Sequence, residues 1–126
     1  MGLSPKAIEL LAGKNLGHLA TVMPNGSPQV TPVWVDHDDE FVLINTAIGR
    51  VKQRNVTRDP RVAVSLTDSA DPFTKVQIRG RVVAQVTQGA SEHINKLSHK
   101  YMGRDYPMRP QETRVILKIK PARISS

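Results

Sequence analysis

From Lys75 to Val86 the chain shows its clearest alternation. Val76, Ile78, Gly80, Val82, Ala84 and Val86 fall on one side, and Lys75, Gln77, Arg79, Arg81 and Gln85 on the other. A period of two sustained this long is a β-strand with one face in a core and the other in a polar medium. Its length suits a bent barrel strand, and Gly80 marks the bend or a place where another backbone comes close.

Shorter strands surround it. Residues 16–23 lead to Pro24-Asn25-Gly26, where Asn-Gly predicts a type I′ hairpin turn, and the return strand covers 29–36. Pro32 cannot donate to a ladder, which puts that strand at an edge or gives it a bulge. After a turn at 37–39, residues 41–46 are apolar on both faces and read as a central strand. Strands follow at 61–68 and 114–120, the second with Val115, Leu117 and Ile119 alternating with Arg114, Ile116, Lys118 and Lys120. Three helices interrupt them. Ser4 and Pro5 are an N-cap and first-turn pair for a helix over 4–12 that Gly13 ends. A short basic helix starts after Gly49, and Ile94, Leu97 and Tyr101 space a helix over 90–102 that Gly103 stops. The expected fold is mainly β, α+β in class: a six-stranded antiparallel barrel with flanking helices, in a single domain over residues 1–126.

The corner at 46–61 gathers the charge. Arg50, Lys52, Arg54, Arg58 and Arg61 face the single anion Asp59, more than half of the formal net charge of +7. A helix start offers unpaired N–H groups and the positive end of its dipole, Gly49 admits close approach to the backbone, and polar Asn45 and Thr46 lead into it. This is how a phosphate cradle is made, and the competing reading is a solvated cationic helix.

The remaining motif search excludes more than it finds. With no cysteine, disulfides, thiolate metal sites and thiol nucleophiles are out. Phosphate-loop and dinucleotide glycine motifs are missing, as is a serine elbow. His37-Asp38-Asp39-Glu40 reads as a turn, not a metal site. His93 and His99, six apart, do not share a helix face as a chelating pair and read as surface residues, while His18 reads as a core or interface histidine. No metal is expected and the catalytic residues are unknown, so a bound cofactor would carry any hard chemistry. One Trp, two Tyr and two Phe supply little stacking surface for single-stranded nucleic acid, and no apolar run reaches the roughly 20 residues of a membrane span. The partner expected is a small anionic molecule, not nucleic acid or membrane, and the compartment expected is the cytoplasm.

The run Ala47-Ile48-Gly49-Arg50-Val51-Lys52-Gln53-Arg54-Asn55-Val56-Thr57-Arg58-Asp59-Pro60-Arg61-Val62 resembles the signature of the pyridoxamine 5′-phosphate oxidase-like split β-barrel superfamily, the FMN-binding split barrel type. Gly-His-Leu-Ala-Thr-Val at 17–22 and Gly-Ser-Pro-Gln-Val-Thr-Pro-Val-Trp-Val at 26–35 agree with it. Gly80-Arg81-Val82 and Lys100-Tyr101-Met102-Gly103-Arg104-Asp105-Tyr106-Pro107 resemble the branch that uses the deazaflavin coenzyme F420 in place of FMN.

The resemblance implies a homodimer with cofactor sites at the interface. It places the cofactor phosphate against Arg50 and Lys52, beside Asn45, Thr46, Ala47 and Gly49, with Arg54 and Arg58 serving the tail or the solvent. Two positions apart on a helix is about 200° around the axis, so to share one phosphate with Lys52, Arg50 must sit at the entry to the first turn, where Arg54 or Arg58 would otherwise be its face-mates. The ring would rest near Pro32, Val33 and Trp34, and Gln77 or Arg79 would reach across from a second copy. Tyr101 and Tyr106 are the candidate proton donors. The activity implied is hydride transfer from reduced F420 to an electron-poor small molecule, a choice that the charge of +7 favours because the F420 tail is more anionic than FMN. The alternatives are an FMN-dependent oxidoreductase of the same fold and a non-catalytic basic module that binds anions or nucleic acid.

Overall fold

The computed structural model describes residues 2–126, in which seven antiparallel strands form one sheet. In chain order the elements are α1 (Pro5–Ala12), β1 (Gly17–Val22), β2 (Pro28–Val33), β3 (Asp36–His37), β4 (Val42–Ala47), α2 (Val51–Arg58), β5 (Arg61–Thr67), β6 (Lys75–Val86), α3 (Ala90–Met102) and β7 (Arg114–Ser125). The strands lie in the order β2-β1-β5-β6-β7-β4-β3.

That order forces the sheet to curl. β2 and β3 are its two opposite edges, which in a flat sheet would stand about 29 Å apart. Yet only Trp34 and Val35 separate them in the chain, and so few residues reach at most about 11 Å. The edges are therefore drawn together into a half-barrel with a split between them. This corrects the expected strand over 29–36 and the expected count of six: the strand breaks at the split, and Asp36–His37 pairs with β4 on the far edge. Inside lies an apolar core that includes Leu19, Ile44, Leu66, Ile78, Leu117 and Ile119, with Leu10 and Leu11 of α1 packed into it.

The backbone crossing the split has no strand beside it, so its polar groups need other partners. Helix α3 supplies them. Tyr101 Oη accepts from Val35 N–H at 3.1 Å and donates to the Asn15 carbonyl at 2.7 Å, while Lys100 Nζ donates to the carbonyls of Leu11 and Val35 at 2.7 and 2.8 Å.

Other local expectations meet the structure in detail. Ser4 caps α1 by accepting from Ala7 N–H, and Gly13 ends it. Pro32 does lie on an edge strand. A Cβ on Gly80 would stand 2.1 Å from the Lys120 carbonyl oxygen, at a shift in the β6–β7 register, which is the close backbone approach anticipated there. The hairpin after β1 differs. Only Gly26 has positive φ, at 87°, so the turn is not type I′, and Met23 and Ser27 close a three-residue loop instead. β7 runs on to Ser125, past the Pro121 that hides its alternation. Among the described residues, no helix is long and apolar enough to cross a membrane.

Candidate functional site

A cavity of about 330 Å³ opens beside the split. Three strand ends and two helices converge on it: Pro32 and Val33 from the end of β2 with Trp34 beyond, Asn45 and Thr46 from β4, Arg50 and Lys52 at the start of α2, Ile94 of α3 and Arg114 of β7. Leu16 and Tyr106 complete the lining. Seven residues anticipated from the sequence as cofactor-binding therefore share one pocket, Pro32, Val33, Trp34, Asn45, Thr46, Arg50 and Lys52, together with the candidate proton donor Tyr106.

One side of the pocket is aromatic. Trp34 stacks on Tyr101 at 5.4 Å between centroids and 6° between planes, and meets Tyr106 edge-on at 6.4 Å. Such contacts hold a large ring in place. Tyr101 spends its hydroxyl on two backbone groups, so it braces Trp34 and is not available as a proton donor. Tyr106 does line the cavity.

The other side is cationic. Arg50 is the N-cap of α2, with extended backbone at φ −69° and ψ 156°, so it stands at the entry to the first turn as the helical geometry requires. No side chain caps that turn; instead Gln53 reaches back to accept from Gly49 N–H, and Gly49 itself adopts φ 93°. Arg50 Nη2 and Arg114 Nη1 bind the two oxygens of Glu112 at 3.0 and 2.6 Å. Arg114 Nε donates to Asn45 Oδ1 at 2.9 Å, and its guanidinium lies over the Tyr106 ring at 5.2 Å. Burial and the charges of Arg50 and Arg114 lower the pKa of Lys52. Three cations thus face the cavity against one carboxylate, and Glu112 itself is held ionised, below its ordinary range, chiefly by Arg114.

Thr46 Oγ1 is buried at this wall with no hydrogen-bond partner. Buried hydroxyls seldom lack a partner, and this one lines the cavity beside three cations. The lining fits a molecule that joins a phosphate to a flat ring.

Other anticipated residues lie elsewhere. Ala47 and Gly49 line a separate hollow that shares Arg50 with this one and includes Arg109 and Glu112. Arg54 is exposed on α2 outside the pocket, and Arg58 is tied to the Val22 carbonyl and Asn55. Gln77 and Arg79 are exposed on the outer face of β6, away from this cavity.

Two histidine readings change. His18 is exposed on β1, which removes the core alternative and leaves the interface one. His93 is not a surface residue: its side chain is only 9% exposed and it bonds Asp36 Oδ2 at 3.0 Å. Burial pushes the Asp36 carboxyl up, but the hydrogen bonds from His93 and from His37 N–H and the Lys96 charge outweigh it and hold it well below the ordinary range. In the sequence Arg114 stands out only as one member of the alternating pattern of the last strand. Its register partner is Ala47, at the end of β4, and that neighbour becomes visible only once β7 is placed beside β4.

Comparison with known proteins agrees with this geometry. The family described as pyridoxamine 5′-phosphate oxidase matches residues 3–126. The chain is similar to a structure named an F420 reductase, at 33% identity over 93% of this chain and 94% of that one, with a TM-score of 0.83. It is also similar in fold to the conserved hypothetical protein Rv2991 from Mycobacterium tuberculosis, at 24% identity, 97% and 82% coverage and a TM-score of 0.76. The General Stress Protein 26 from Bacillus anthracis shares the fold at 22% identity, 94% and 88% coverage and a TM-score of 0.69.

Proposed function

This chain belongs to the pyridoxamine 5′-phosphate oxidase family, and from that premise we propose that it is an F420-dependent reductase of a small electron-poor molecule. The observation that carries the reading is the pocket wall itself: Arg50, Lys52 and Arg114 beside the unpartnered Thr46 hydroxyl. Those four groups would hold a phosphate by charge-assisted hydrogen bonds. Trp34, braced by Tyr101, would support the ring with Pro32 and Val33. When bound in its reduced form, the deazaflavin supplies a hydride.

The protein's own part is binding, orientation and proton supply. Leu16, Val33 and Ile94 keep the ring end of the cavity apolar. Tyr106 Oη accepts from Arg114 Nη1 at 3.3 Å and so keeps its own proton to give. In a homodimer, Gln77 and Arg79 on the outer face of β6 would approach the site of a second copy, and Ala47, Gly49 and Arg54 would serve the anionic tail. The preference for F420 over FMN rests on the F420 reductase at 33% identity and on the net charge of +7.

Trp34 is the only tryptophan of the chain and lines the pocket, so its fluorescence reports binding there. Titration with F420 should quench it saturably, and FMN should bind more weakly. Tighter FMN binding would transfer the assignment to an FMN-dependent oxidoreductase. Indifference to both cofactors, with salt-sensitive binding to nucleic acid, would establish the non-catalytic basic module instead.

A further inference from the structure

We propose that His93 is a positioning residue for Arg114, acting through the side-chain amide of Asn45; this rests on the reading of the pocket as a site for an anionic cofactor. Asn45 Nδ2 donates to the Ala90 carbonyl at 2.9 Å and contacts His93 Nδ1 at 3.0 Å, and Asn45 Oδ1 accepts from Arg114 Nε at 2.9 Å. An amide nitrogen cannot accept a hydrogen bond, so His93 Nδ1 bears a lone pair and the ring proton sits on Nε2. Nε2–H is donated to Asp36 Oδ2 at 3.0 Å. Asp36 is in turn fixed by His37 N–H at 2.8 Å and Lys96 Nζ at 3.2 Å.

The chain of contacts crosses four elements, from β3 through α3 and β4 to β7, and ends on a guanidinium whose side chain is only 5% exposed. Turned over, the Asn45 amide would set its carbonyl against the Ala90 carbonyl and its N–H against Arg114 Nε–H. The Ala90 carbonyl and Arg114 Nε–H therefore fix which way the amide faces, His93 Nδ1 takes its second N–H and holds it in place, and the amide orients Arg114. With Nε held by Asn45, and Nη1 by Glu112 and Tyr106, Nη2 is the nitrogen of Arg114 that has no protein partner among the described residues. It is the one left for a ligand in the cavity that Arg114 lines.

Two near-isosteric substitutions separate positioning from mere packing. His93→Asn places an acceptor where Nδ1 stood and removes the donor to Asp36. His93→Gln keeps a donor where Nε2 stood and leaves one Asn45 N–H without an acceptor. Titrating F420 and FMN against Trp34 fluorescence, we expect His93→Asn to bind close to wild type and His93→Gln about tenfold more weakly, the scale of one buried donor left unpaired. Both variants should melt lower than wild type, His93→Asn because Asp36 loses a partner and His93→Gln because a buried donor is left unpaired, so melting temperature should not follow the order of affinity. Affinity falling in step with melting temperature in both variants, or wild-type affinity in His93→Gln, would overturn the proposal. If neither cofactor binds the wild type, the cofactor reading fails by itself, and the ¹⁵N-resolved Nε–H signal of Arg114 decides the positioning role. A signal retained in His93→Asn and broadened in His93→Gln supports it; one unchanged in His93→Gln refutes it.

Discussion

Of the three pocket cations, Lys52 alone has no carboxylate within ion-pair distance among the described residues. Burial and two neighbouring guanidinium groups lower its pKa below the ordinary 10.5, so the charged ammonium weighs against folding, fully at neutral pH and less as pH rises toward that ordinary value. An anion in the pocket reverses the effect by favouring the protonated form. Cofactor binding should therefore take up a proton in the alkaline range and weaken as pH rises there. Lys52→Arg, which stays charged, should flatten the profile. Lys52→Met should raise the melting temperature while weakening binding, a trade of stability for function common at such sites. Calorimetric titrations in buffers of different ionisation enthalpy would detect the proton, and a pH-independent affinity for the wild type would contradict this assignment.

At the scale of elements, the β6–β7 pair and the β3–α3 contact make separate predictions. Gly80 is needed for space, not for an unusual φ: alanine would drive a methyl into the Lys120 carbonyl region. Gly80→Ala should cost about 1–3 kcal/mol or more, as overpacked sites do, and an unchanged denaturation midpoint would refute the close approach. Asp36 has a folded-state pKa below its ordinary 3.8. Its stabilisation is present above that value and is lost as pH falls through the folded-state pKa, so Asp36→Asn should melt lower at neutral pH and show a shallower loss of stability in acid.

The elements that could be read from sequence were those with a sustained period or clear stop signals. Ile94, Leu97 and Tyr101 with Gly103 behind them delimit helix α3, and a long alternation delimits β6. The two-residue β3 carries no period, and the break at Trp34 follows from the curl of the sheet. The cationic half of the site was legible because it is local, with Asn45, Thr46, Arg50 and Lys52 within one short run. Arg114, Glu112 and His93 reach it from distant parts of the chain, through pairing of β7 with β4 and packing of α3, which no local pattern announces.

For the whole molecule, edge strand β2 exposes Val30 and Pro32 beside exposed His18, and Val30 is 63% exposed. Unprotected edges that carry apolar residues favour association. A homodimer would cover this face, so sedimentation at micromolar concentration should show a dimer that Val30→Glu dissociates. A monomeric wild type would remove the interface from the account.

The central claim is that the basic corner at the start of α2 grips a cofactor phosphate. It is tested most directly by comparing F420 affinity of the wild type with that of the double variant Arg50→Ala, Lys52→Ala. Each charge-assisted contact contributes roughly 1.5–3 kcal/mol, so the pair should weaken binding by about a hundredfold or more while the fold stays intact. Affinity that survives both substitutions would make the basic helix a solvated surface and nothing more.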